Sequence, residues 1–193
     1  MRRLVVVEFI TLDGVMQSLG SPDEDTDGGF EYGGWSAPYF DEAQGQAAGE
    51  GMAATDAFLF GRRTFEKMAA FWPHQPDTDP MAAHLNMTQK YVASSTLKDP
   101  EWQPTTVLSR DIAAEVRSIK QQTGGNIAVL GSGLLLETLI EEELVDGYRL
   151  FVHPLVLGSG KRLFREYTAP KRLRLVQSAP TSTGVLMLVY ENE

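Results

Sequence analysis

The chain has 193 residues, 42% of them hydrophobic and 22% charged, a composition that suits a single folded domain over residues 1–193 and excludes wholesale disorder. It contains no cysteine, which excludes disulfides, thiolate nucleophiles and iron–sulfur clusters and is compatible with the cytoplasm. The formal net charge of −9 opposes nucleic-acid binding, which needs Lys and Arg to displace counterions, so an anionic ligand has to be met where a few arginines concentrate positive charge.

In chain order, residues 4–10 predict a buried strand. The apolar part, 4–7, is cut by Glu8 and is too short for a signal sequence or a membrane span. Residues 11–39 form a long connection with six glycines and the acidic residues Asp23, Glu24, Asp25 and Asp27. Such loops are functional or simply mobile, and the acidic run reads as solvated surface because it lacks the spacing of a calcium loop. A helix is predicted over 40–55, a strand over 57–60, a helix over 62–70, and strands over 90–93 and 105–108. A helix over 111–121 opens on Asp111, which can cap its amides, and closes before Gly124 and Gly125. A strand at 127–130 and a helix at 134–142 follow. The chain then changes character: strands at 148–152, 173–178 and 185–190, the last two parted by Pro180 and Gly184, predict a hairpin. Strand and helix alternation before that point is the signature of an α/β fold with a mostly parallel sheet.

Two strand-to-helix junctions carry chemistry. Phe60-Gly61-Arg62-Arg63-Thr64-Phe65-Glu66 gathers helix-start amides, a hydroxyl and two guanidiniums, which makes either an anion site or a helix start with solvated arginines. Leu130-Gly131-Ser132-Gly133 repeats the arrangement, with a glycine turn that lets a pyrophosphate approach the backbone or simply makes a tight turn. Open α/β sheets bind ligands at the carboxyl ends of their strands. The aromatic residues Trp35, Tyr39, Phe71 and Trp72 flank the long loop and the end of the second helix, where they either stack on a planar ligand or pack in the core. Asp13, before Gly14, is a turn residue or a catalytic group. His74, His84 and His153 match no metal-ligand spacing and read as structural, so no metal is expected.

Taken in order, residues 60–66, then Val92-Ala93-Ser94-Ser95-Thr96-Leu97, then residues 129–136 resemble the three NADPH-binding segments of the dihydrofolate reductase superfamily. Leu144-Val145-Asp146-Gly147-Tyr148 and the run from His153 through Gly158-Ser159-Gly160-Lys161-Arg162 to Phe164, with Thr11-Leu12-Asp13-Gly14, resemble the C-terminal reductase domain of the bacterial bifunctional deaminase-reductases of riboflavin biosynthesis. The resemblance implies a three-layer α/β/α fold with a mostly parallel central sheet and a C-terminal antiparallel hairpin, and a cytoplasmic homodimer. It also implies an NADPH-dependent reductase acting on a small substrate such as a ribosylated aminopyrimidine. Arg62 and Ser94, assisted by Arg63 or Ser95, would hold the 2′-phosphate, and Gly61, Thr64, Gly131, Ser132 and Gly133 the phosphates, with Leu130 near the nicotinamide. Asp13 would be catalytic and Trp35, Phe71 and Trp72 would meet substrate. The acidic pterin-binding motif of true dihydrofolate reductases does not surround Asp41, Glu42 or Glu50, and no deaminase zinc motif is present. Dihydrofolate reduction and nucleotide binding without turnover are the alternatives.

Overall fold

The apolar runs of the sequence become strands and the amphipathic stretches become helices. In the computed structural model, which describes residues 1–165 and 170–193, the Cα positions group the chain into two units, residues 1–5 with 49–146 and residues 6–48 with 147–193. Strand β1 (Leu4–Thr11) and helix α1 (Glu42–Ala53) each begin in one unit and end in the other.

The first unit is the parallel one. It contains β2 (Thr55–Gly61), α2 (Arg62–Phe71), α3 (Pro80–Met87), β3 (Gln89–Ala93), β4 (Thr105–Leu108), α4 (Ile112–Gln121), β5 (Asn126–Leu130) and α5 (Gly133–Glu141). The strand order is β4-β3-β2-β5, and the β4–β3, β3–β2 and β2–β5 pairs are parallel. Phe58, Leu59 and Phe60 on β2 and Ile127 and Val129 on β5 are buried, as strands covered on both faces require. Helix α3 was not expected from sequence, although its start is signalled. Asp79 accepts from the amides of Met81 and Ala82, and Pro80 occupies the first turn, where a missing N–H costs nothing.

Lys90 on β3 is fully buried. Its ammonium reaches the carbonyls of Leu85 at 2.9 Å, Thr88 at 2.7 Å and Asn86 at 3.4 Å and lies 4.6 Å from the ring centre of Trp102. It thereby supplies donors to the carbonyl end of α3, which has no intrahelical partners. Burial pushes its pKa down to about 8.

The second unit is the antiparallel one, with β6 (Gly147–His153), β7 (Leu173–Pro180) and β8 (Leu186–Asn192) in the order β1-β6-β8-β7. The expected hairpin is β7–β8. Pro180 does not part the strands as expected; it is the last residue of β7, opposite Leu186, an end position where its lacking N–H is tolerated. The 11–39 loop is packed through Val15, Phe30 and Trp35 against Phe9, Leu19, Leu155 and Leu157. Among the described residues no helix is long and apolar enough to cross a membrane.

Candidate functional site

Strands β2 and β5 lie side by side and parallel, with Leu59 opposite Val129. Their carboxyl ends therefore deliver the Gly61 and Gly131-Ser132-Gly133 turns next to each other. Ser132 joins the two. Its Oγ accepts from the Gly61 amide at 2.8 Å and shares a hydrogen bond with Thr64 Oγ1 at 2.7 Å. Small residues are needed here because a Cβ on Gly61 would lie 2.6 Å from Ser132 Oγ, and one on Gly131 would lie 3.0 Å from Thr64 Oγ1. Ser132 itself has φ of 74°, a left-handed conformation that costs a non-glycine residue energy and persists where surrounding contacts impose it.

The two helix starts differ from the others in this unit. Asp79 caps α3 and Asp111 caps α4 with their carboxylates. At α2 the capping residue is Gly61, which has no side chain, and at α5 Ser132 turns its hydroxyl to the neighbouring turn, so neither helix has a side-chain cap. The first amides of a helix have no intrahelical acceptor and sit at its positive end. Two adjoining uncapped starts are thus an array of donors suited to a phosphate.

Arg62 opens α2. Its Nε donates to Glu66 Oε1 at 2.6 Å and its Nη1 to Thr96 Oγ1 at 2.5 Å. Ser94 Oγ accepts from the amides of Thr96 at 3.2 Å and Leu97 at 2.9 Å, so it shapes the turn that Arg62 touches. Arg63 and Ser95 are exposed, and Leu130 and Gly133 are half-buried at the end of β5 and the start of α5. Of the residues singled out from sequence, Gly61, Thr64, Gly131 and Ser132 are brought into one cluster, and Arg62 joins the 94–96 turn. Glu66 and Thr96 were not singled out. Glu66 was legible as the i+4 neighbour of Arg62 on a helix, whereas the contact with Thr96 spans 34 positions.

The aromatic candidates are placed differently. Phe71 and Trp72 pack edge to face, 5.1 Å between ring centres, at the far end of the ten-residue helix α2, about 15 Å along the axis from Arg62. The Trp72 indole N–H reaches Met68 Sδ at 3.0 Å. The structure does not bring this pair to the two turns. In the second unit, Trp35 is 7% exposed, gives its indole N–H to the Gln17 carbonyl at 2.8 Å and meets His153 edge to face. Of the two roles open to it, stacking on a planar ligand or packing in the core, these contacts are those of a packed, loop-anchoring indole whose one donor is satisfied.

Asp13 is also in the second unit. Its carboxylate accepts from Thr11 Oγ1 at 2.6 Å and from the amides of Leu157 at 3.2 Å and Gly158 at 2.9 Å, with Arg162 at 3.5 Å. Desolvation would raise its pKa, but the bonds from Thr11, Gly158 and Leu157 together outweigh it and hold the group at about 2. Asp13 is therefore an ionised acceptor that fixes the 157–158 turn, and it is no proton donor near neutral pH. Because the folded pKa lies below the unfolded value of about 3.9, the carboxylate's stabilisation is present above pH 4 and lost as pH falls toward 2. Melting curves should show Asp13→Asn less stable than wild type above pH 4, with the gap closing between pH 4 and pH 2. A gap indifferent to pH would contradict this assignment.

The acidic run is not wholly solvated. Asp25 and Asp27 hold Lys161 at 2.7 Å and 2.8 Å, and Asp27 and Lys161 border a cleft of about 710 Å³ whose lining includes Gln17, Tyr32, Arg162 and Phe164. Among the described residues no cluster of His, Asp or Glu is arranged to hold a metal.

The profile of the family described as the RibD C-terminal domain matches residues 2–187 of this chain. The chain belongs to the RibD C-terminal domain family. The chain is also similar to two uncharacterized Bacillus subtilis proteins. YyaP is 34% identical over 138 residues, covering 70% of this chain and 73% of its own length. YwjB is 29% identical over 120 residues, covering 62% and 64%. Among solved structures, a candidate riboflavin biosynthesis protein from Shewanella sp. PV-4 superposes with a TM-score of 0.73 at 18% identity, over 99% of both chains. The deaminase and 5-amino-6-(5-phosphoribosylamino)uracil reductase of Thermotoga maritima gives 0.67 at 12% identity, over 100% of this chain and 57% of that one. At such identities the likeness shows the fold: an α/β fold, parallel in its first strands and antiparallel at the C-terminus, as read from the sequence. The ordered turns around Gly61, Ser94 and Gly131 that suggested the family thus lie in a chain that belongs to it.

Proposed function

We propose that this RibD C-terminal domain protein is an NADPH-dependent reductase of a small substrate, in the class of ribosylated aminopyrimidines. The observation that carries the reading is the pair of uncapped helix starts tied together by Ser132 beside Arg62. These residues fit a dinucleotide phosphate. Gly61, Thr64, Gly131, Ser132 and Gly133 would hold the pyrophosphate through amides and hydroxyls, and Arg62 with the 94–96 turn would hold the 2′-phosphate. The reduced nicotinamide supplies the hydride when bound, so the chain needs no metal or nucleophile of its own. Its part is to bind, orient and exclude water. Family membership and the name of the Thermotoga maritima neighbour support the substrate class.

Two features weigh against dihydrofolate as substrate. Asp41, the acidic candidate before α1, spends its carboxylate on the Gln44 amide at 2.9 Å and on the Ser182 amide and hydroxyl at 2.9 Å and 2.7 Å, so it is a cap and turn clamp. Glu42 and Glu50 lie on α1 without the pterin motif around them. The reading extends to a homodimer, for which the half-exposed Leu175 and Val176 on the edge strand β7 offer apolar surface.

The test is a titration with NADPH followed by steady-state assay of its oxidation against a ribosylaminopyrimidine, dihydrofolate and a panel of small carbonyl and imine compounds. NADPH should bind and the ribosylaminopyrimidine should be turned over better than dihydrofolate. Efficient dihydrofolate turnover would overturn the substrate class. Binding without any turnover would make the chain a nucleotide-binding protein, and absence of binding would remove the reading altogether.

A further inference from the structure

We propose that Glu66 sets the cofactor selectivity of the site by competing with a ligand phosphate for Arg62, an inference that rests on the two turns binding NADPH. A guanidinium grips a phosphate best with two parallel N–H groups along one edge of its fork, either Nε with Nη2 or Nη1 with Nη2. In this chain Nε is held by Glu66 at 2.6 Å, and Nη1 gives one of its two N–H groups to Thr96 at 2.5 Å. The Nε and Nη2 edge cannot offer two donors to a phosphate until Glu66 gives way.

Thr96 is an uncharged acceptor that does not repel a phosphate, but giving up Glu66 leaves a carboxylate beside the incoming phosphate. A doubly charged phosphate about 5–6 Å from one carboxylate in a water-like dielectric loses about tenfold in affinity. The pairing has its own cause. Arg62 stands at the positive end of α2, where the helix dipole opposes a cation, and Glu66 one turn on neutralises it. A ligand with a 2′-hydroxyl in place of the phosphate escapes the penalty, since the carboxylate can accept its hydrogen bond. Glu66 is a positioning residue: it acts through Arg62 and narrows the preference of the site for the phosphorylated cofactor.

The experiment measures dissociation constants of NADPH and NADH for wild type, Glu66→Gln, Arg62→Ala and Arg62→Ala/Glu66→Gln by calorimetric titration at two ionic strengths. Both side chains of the pair are about half exposed, so Glu66→Gln keeps shape and folding, which its melting temperature checks. NADPH should bind Glu66→Gln about tenfold more tightly, with NADH changed by less than about twofold, and the gain should shrink at high salt. The double variant should bind NADPH more tightly than Arg62→Ala alone, because the repulsion is gone, yet more weakly than Glu66→Gln, which keeps the guanidinium. A merely structural role would move both cofactors together, so an unchanged NADPH to NADH ratio in a protein that does bind NADPH overturns this inference and leaves the proposed function standing. A wild type that binds neither cofactor overturns both.

Discussion

Replacing Arg62 by alanine should weaken NADPH by roughly ten- to a hundred-fold while leaving NADH nearly unchanged, the span expected for a charged hydrogen bond worth about 1.5–3 kcal/mol. The chain carries a net charge of −9, so a neutral loop would not offset the field that a phosphate meets on approach. Arg62 stands where β2 ends, and its guanidinium is already directed to the 94–96 turn by Thr96. Truncation also removes the partner of Glu66, which leaves a carboxylate without its cation in the same place and adds to the loss. NADH has no phosphate to miss. Titration calorimetry with both cofactors decides the matter, and equal losses would remove the 2′-phosphate assignment while leaving a general role for the turns.

The second large effect concerns the joint between the turns. An alanine methyl at Gly61 would stand 2.6 Å from Ser132 Oγ and 2.7 Å from Ser132 Cβ. The latter atom is fixed to the backbone and cannot swing away. Overpacking of this kind costs about 1–3 kcal/mol, and Gly61→Ala should lower the melting temperature by about 4–8 °C for a loss near 2 kcal/mol in a chain of this size. Ser132→Gly removes the obstruction. By itself that change should cost up to about 2 kcal/mol: it relieves a left-handed serine, about 1 kcal/mol, and forfeits the bonds to Gly61 and Thr64 at about 0.5–1.5 kcal/mol each. In Gly61→Ala/Ser132→Gly the alanine no longer meets a side chain, so the two losses should fall short of their sum, with a coupling of at least about 1 kcal/mol. Additive losses would mean that Gly61 is required for another reason.

The sequence was a good guide where one residue type decides the outcome locally. Asp111 announces α4 because a carboxylate before an amphipathic run caps amides, and the branched runs at β1, β4 and β5 leave little choice but a buried strand. Asp79-Pro80 carries a similar signal for α3, obscured by the short helix and its weak amphipathic pattern. The turns of the candidate site were legible as glycine-bearing junctions, but the Ser132 to Gly61 bond joins positions 71 apart, and no local pattern encodes that reach. Side-chain roles were hardest to read. Trp35 and Asp13 have the chemistry of a stacking platform and a catalyst, yet each is committed to partners that only tertiary packing supplies: the Gln17 carbonyl in one case and the 157–158 amides in the other. Thr96 went unnoticed beside Ser94 and Ser95 because nothing along the chain distinguishes a hydroxyl that faces an arginine from one that faces water.

The setting of Lys90 has a use as a chemical probe. Amine acylation requires that the reagent reach the side chain. With no surface open to solvent, Lys90 is shielded as long as β3, the end of α3 and Trp102 stay closed around it. Modification of Lys90, read by mass spectrometry, would therefore count opening events of the parallel unit, while exposed lysines such as Lys67 label at a rate set by the reagent. Because a ligand that binds only the folded state lowers the open population, a cofactor bound at the Gly61 and Ser132 turns would slow the labelling of a residue it never touches.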